Sequence, residues 1–223
     1  MCRRPVPIVA TAGALVPLGV FALIFAALSG GSKPSVLAAA ALLGGVGGVT
    51  SLLVHELGHV GVARRLSGVR PAKVSLISLG AATHLEGSYR SGREQARMAL
   101  GGPQASFTFA LMLILPSLLP VPMWLKVCAL ALALLNVAIG VLSLLPVYPL
   151  DGHKLIVGLV WWTAGSESRA RSIVRRAGFA FLALDVSVGM LLLAASPLLG
   201  ITVAALVAAA LAQKHLFRGA AGA

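Results

Sequence analysis

The stretch VTSLLVHELGHVGVARR, residues 49–65, places two histidines and a glutamate inside a run apolar enough to cross a membrane. An ionised side chain at the centre of a spanning helix costs roughly 2.5–3.5 kcal/mol even on lenient insertion scales. A glutamate between two histidines at such depth therefore points to chemistry rather than to packing.

The rest of the chain agrees that the solvent is a bilayer. Of 223 residues, 58% are hydrophobic and only 11% charged, and the mean hydropathy is +0.96. A water-soluble domain of this size would need a polar exterior that the composition lacks. Apolar runs near 20 residues favour helices over a barrel. The expected fold class is an all-α polytopic membrane protein with about six transmembrane helices. The spans are read at 7–28, 36–63, 98–119, 123–145, 177–196 and 198–213, with a short apolar piece at 155–164. The second span is long, since 28 residues of helix reach ~42 Å, so it must tilt or protrude.

The net charge of +12 would suggest nucleic acid on a soluble protein. Its placement argues for topology instead. With the N-terminus inside, Arg3, Arg4, Arg64, Arg65, Arg70, Lys73, Arg90, Arg93, Arg97, Lys154, Arg169, Arg171, Arg175, Arg176, Lys214 and Arg218 all fall in cytoplasmic segments. Only Lys33 and Lys126 of the 18 basic residues do not. Positive charge gathered on one side sets orientation, so both termini are expected in the cytoplasm of a multi-pass cell-membrane protein that binds no nucleic acid. Arg3 and Arg4 before an apolar run also resemble a signal peptide, but the run exceeds the usual core and a retained span is expected. Cys2 and Cys128 share no ligand-like spacing and imply neither a disulfide nor a sulfur-bound metal.

The polar segment 69–97 contains KVSLISL (73–79) and GAATHLEG (80–87), read as one or two short strands or a hairpin on the cytoplasmic side. The glycines of GGVGG (44–48) allow a neighbouring helix to approach closely. The fourth span runs into LLPVYPLDGHK (144–154), where Pro146, Pro149 and Gly152 prevent a regular helix and leave the span broken. Irregular backbone at membrane depth needs protein or a wet cavity to satisfy it, and an aspartate follows at once.

His55 and His59 are four residues apart, so on a helix they share a face and can hold one metal ion. In this H-E-x-x-H pattern Glu56 lies where it can take a proton from the attacking water. A catalytic zinc commonly has three protein ligands, and the chain has six acids: Glu56, Glu86, Glu94, Asp151, Glu167 and Asp185. Glu94 and Glu167 sit among basic residues, and Glu86 with His84 reads as solvent-facing on the hairpin. Asp151 follows the proline break. Asp185 lies nine residues from Arg176, as His55 lies nine from Arg64, which places both ~13 Å from a basic anchor. On the residues alone, Asp151 and Asp185 both stand as the third ligand.

HELGH in a span, then GGP (101–103), then LLPVYPLDG (144–152) resembles the site-2 protease family of intramembrane zinc metalloproteases. The resemblance runs from about Gly44 to Gly158. It implies that His55, His59 and Asp151 bind one zinc ion, that Glu56 activates water, and that the site opens toward the cytosol. It implies a transmembrane protein substrate, such as a single-span regulatory protein, and the lipid bilayer as partner. The chain departs from the family where Ser143 and Ser106 replace asparagines and His153 replaces a glycine. Asn136, seven residues before Ser143, shares nearly the same helix face; both are expected near the substrate or its oxyanion. The 223 residues are expected to form one metalloprotease domain, core about 36–164, with peripheral spans 7–28, 177–196 and 198–213 and no PDZ-like or CBS-like domain. A catalytically silent scaffold of the same family and a metal transporter are the competing readings. No oligomeric state follows from the sequence.

Overall fold

A computed structural model of the chain describes residues 5–30, 33–77, 80–177, 187 and 191. It is mostly helical. Five helices, α1 (Leu15–Leu28), α2 (Pro34–Ala63), α3 (Gly92–Ile114), α4 (Met123–Ser143) and α5 (Asp151–Ala164), accompany three strands, β1 (Ile8–Ala10), β2 (Val69–Ile77) and β3 (Gly80–Gly87). Residues 167–177 are also helical. Contacts divide the chain into two compact units: Met1–Tyr89 with Leu100–Leu142, and Arg90–Ala99 with Ser143–Ala223.

Among the described residues, three helices are long and apolar enough to cross a membrane: Pro34–Ala63, Gly92–Leu118 and Met123–Ser143. They correspond to the second, third and fourth expected spans. The fifth and sixth, 177–196 and 198–213, lie outside the described residues except at 177, 187 and 191.

The first expected span needs correction. Residues 7–28 do not form one helix. Ile8–Ala10 is a strand, and the apolar helix that follows covers only Ala12–Leu28. Pro5 and Pro7 cannot donate the backbone hydrogen bonds of a helix interior, and Ile8 and Val9 are β-branched. β1 pairs in parallel with β2, in the register Ile8↔Val74 to Ala10↔Leu76. Val74 N donates to Pro7 O at 3.0 Å, and both N and Oγ1 of Thr11 donate to Leu76 O at 3.1 Å. β2 pairs antiparallel with β3 from Val69↔Gly87 to Ile77↔Gly80, so the sheet order is β1-β2-β3.

In the larger unit, α2 turns one stripe inward: Ala40, Gly44, Gly48, Ser51, His55, His59 and Ala63 are all buried. Their spacing of three and four residues is one helical face. The glycines serve close packing. A Cβ on Gly44 would strike the Phe25 side chain, one on Gly48 would strike Phe21, and one on Gly45 would crowd the Leu18 carbonyl. Phe25, Ala40, Cys128 and Leu132 form the core that joins α1, α2 and α4.

The helix α3 starts before its expected span. Ser91 Oγ accepts from Glu94 N at 3.3 Å and Glu94 Oε2 accepts from Arg90 N at 2.9 Å, a reciprocal cap at a Ser-x-x-Glu signal. In the smaller unit, the start of α3 meets α5 at glycines: a Cβ on Gly92 would hit the Gly158 carbonyl. Gln95 Nε2 donates to Lys154 O at 3.1 Å, and the Arg93 guanidinium stacks 5.8 Å from the Trp162 ring centroid. Val157, Ala170 and Val174 form the core of this unit. The break between α4 and α5 lies at residues 144–150, with a cis Tyr148–Pro149 peptide bond. Gly152 is required there, because a Cβ would collide with the carbonyls of Leu144 and Leu145 as the chain doubles back.

Candidate metal centre

The site begins with the stripe on α2. His55 and His59 are one helical turn apart and buried, their rings edge-on with centroids 5.1 Å apart. Their Nε2 atoms converge on Gly102 of α3, where a Cβ would strike both. The approach of α3 to α2 is set right beside them, at Gly58 and Gly101. A Cβ on Gly58 would collide with the Gly101 carbonyl and the Ala105 side chain, so only glycine lets the backbones come this close. Pro103, fully buried inside α3, offers no backbone N–H.

Asp151 opens α5 and is 6% exposed. A carboxylate in the first turn of a helix is favoured by the partial positive charge of that terminus. Lys154 Nζ donates to Asp151 Oδ1 at 2.9 Å. His55, His59 and Asp151 are all buried, and each offers a ligand atom such that the three lie within 4.8 Å of one another. Two imidazole nitrogens and one carboxylate oxygen are a donor set that suits one zinc ion and leaves a position for water.

Glu56 sits between the histidines in sequence but off the buried stripe, partly exposed. Thr83 of β3 donates its hydroxyl to Glu56 Oε2 at 2.6 Å and lies 3.1 Å from the Glu56 carbonyl. Ser106 of α3, with no exposed surface, lies 3.0 Å from His55 Nδ1 through its Oγ. Neither partner was a sequence-based site residue, although Ser106 stands at a noted departure from the family pattern. Thr83 carries no signal of its own in the sequence. Gly102 was legible only as part of GGP.

Asn136 is fully buried and donates its Nδ2 hydrogens to Ser51 Oγ and to Leu132 O, both at 2.8 Å. Its Oδ1 has no hydrogen-bond partner among the described residues, so the side chain offers an acceptor there. Ser143 closes α4 and is half-buried. Asp185 lies outside the described residues. His153, outside the three spanning helices, has its pKa lowered by burial first and then by the positive charges of Arg171 and Lys154. Its ring stands edge-on to Tyr148, centroids 5.7 Å apart.

The profile of Peptidase family M50 matches residues 119–184. A protein of Mycobacterium tuberculosis, Rip3, provisionally named a zinc metalloprotease, is 34% identical over 166 residues, covering 71% of this chain and 42% of that protein. A Synechocystis protein with a similar provisional name is 29% identical over 142 residues, 63% of this chain and 37% of its own length. The chain thus spans less than half the length of these curated relatives. The solved site-2 protease from Methanocaldococcus jannaschii has a similar fold, with a TM-score of 0.55 at 19% identity, covering 94% of this chain and 91% of that one.

Proposed function

We propose that this chain is an intramembrane zinc metalloprotease of the site-2 protease family, a reading supported by the matched profile and the relatives and consistent with the fold neighbour. The observation that carries the reading is the buried His55, His59 and Asp151 group with Glu56 beside it on α2. The substrate is a transmembrane segment of a membrane-bound regulatory protein, reached from the cytosolic side. The concentration of basic residues in the segments read as cytoplasmic supports that orientation.

His55, His59 and Asp151 hold the zinc in this reading. When bound, zinc polarises the scissile carbonyl and makes water a nucleophile near neutral pH. Glu56 takes the proton from the attacking water and passes it to the leaving amine. Thr83 fixes one carboxylate oxygen of Glu56, which leaves the other to face the water. A transmembrane helix satisfies its own amides, so the substrate must unwind before it is cut. β2 is already paired on both sides, so unwound substrate adds to the sheet at the outer edge of β3, through main-chain hydrogen bonds that tolerate many sequences. Ser143, at the end of α4, lies toward the substrate or its oxyanion. The Asn136 donors are engaged by Ser51 and Leu132, so its part is to accept from a substrate N–H rather than to donate to the oxyanion.

The test compares wild type with Glu56→Gln, purified in detergent, for zinc per chain and for cleavage of a panel of transmembrane-helix peptides. The reading expects one zinc in both proteins and cleavage by wild type alone. Zinc without cleavage by either would favour a silent scaffold or a transporter. Wild type without zinc would overturn the reading.

A further inference from the structure

His55 has two ring nitrogens, and the fold assigns them different tasks. Nε2 faces Gly102, where it meets Nε2 of His59. Nδ1 faces Ser106 Oγ at 3.0 Å. Ser106 has no exposed surface and His55 is 6% exposed, so water does not compete for this contact. Imidazole ligates a metal through an unprotonated nitrogen, and the hydrogen bond at the other nitrogen selects which one that is. With Nδ1–H donating to Ser106 Oγ, the lone pair of Nε2 is directed at the place where the two histidines converge.

We infer that Ser106 is a positioning residue of the metal centre, holding the tautomer and ring angle of His55. This rests on the protease reading only so far as the group binds zinc. Ser106 stands where the family pattern has asparagine, a change that reads in the sequence as a departure bearing on rate and substrate positioning. In the fold it is a buried hydroxyl 3.0 Å from the His55 ring. The close crossing at Gly58 and Gly101 brings α3 within reach of a side chain this short.

A partner of this kind sets metal affinity by about 10–100-fold. The experiment uses the full chain in detergent, with zinc titrated against a competing chelator and with Co(II) absorption read as a ligand-field signature. Three proteins are compared: wild type, Ser106→Ala and Ser51→Ala. Ser51 is also fully buried on the same stripe, but its Oγ donates to Gly47 O and accepts from Asn136, not from a histidine.

The expected result is zinc affinity reduced about 10–100-fold in Ser106→Ala with an altered Co(II) spectrum, and affinity unchanged in Ser51→Ala. Ser106→Ala within twofold of wild type overturns the inference. Equal losses in both variants also overturn it, because general loosening of the bundle would then account for the effect. Absence of zinc from wild type overturns the protease reading instead, and is told apart from the other outcomes by that protein alone.

Discussion

The Thr83 hydroxyl stands 2.6 Å from Oε2 of Glu56, tying the terminal strand β3 to the helix that carries both histidines. This strand is also where the proposed substrate adds, so one side chain links substrate binding to the base.

Thr83→Val keeps the shape and removes the hydrogen bond. A hydrogen bond to a charged group contributes about 1.5–3 kcal/mol, so kcat is expected to fall roughly 10–100-fold. KM and zinc content are expected to stay near wild type, and Thr83→Ser to restore most of the rate. The measurement is steady-state cleavage of a peptide that wild type cuts. A loss confined to KM would instead place Thr83 in substrate binding.

Gly102→Ala separates helix stability from site integrity. Alanine inside a helix is favoured over glycine by about 1 kcal/mol, so helix propensity alone predicts a more stable protein. Its Cβ would strike Nε2 of both histidines. The rings can yield only by turning those atoms away from the metal. The expected outcome is a folded protein whose zinc affinity falls at least tenfold, read by chelator competition and thermal unfolding.

Lys154 is the cation that meets Asp151 within the smaller unit. Its side chain is 51% exposed, so the pair is screened and its contribution is held to about 1 kcal/mol or less. Lys154→Met is expected to lower the Tm more in chelator-stripped protein than in zinc-loaded protein, because the metal then meets the same carboxylate. Equal Tm losses in both states would show that Lys154 acts elsewhere.

Much of the site is legible in the sequence because it is local. His55 and His59 share a face through helical periodicity alone, and Glu56 is their neighbour by position. The proline break announces an irregular entry to α5, and Asp151 follows it directly. The choice of Asp151 over Asp185 came from the order of motifs rather than from spacing. Asp151 belongs with the histidines to a group that could hold one metal ion, while Asp185 lies outside the described residues. The start of the first span differs for a physical reason: hydropathy does not distinguish an apolar strand from an apolar helix, and the parallel pairing of Ile8–Ala10 with β2 depends on residues more than 60 positions away.

Read along the chain, the residues identify the class of molecule, the paired histidines of α2 and the broken entry to α5. All of these follow from composition and from spacings shorter than two helical turns. The contacts around these residues come from packing between distant segments: Thr83 on Glu56, 27 residues distant, and Ser106 on His55, 51 residues distant. Strand register and the glycine-lined crossing of α2 and α3 set those contacts. Both arise from packing between distant segments, and neither leaves a periodic signal along the chain.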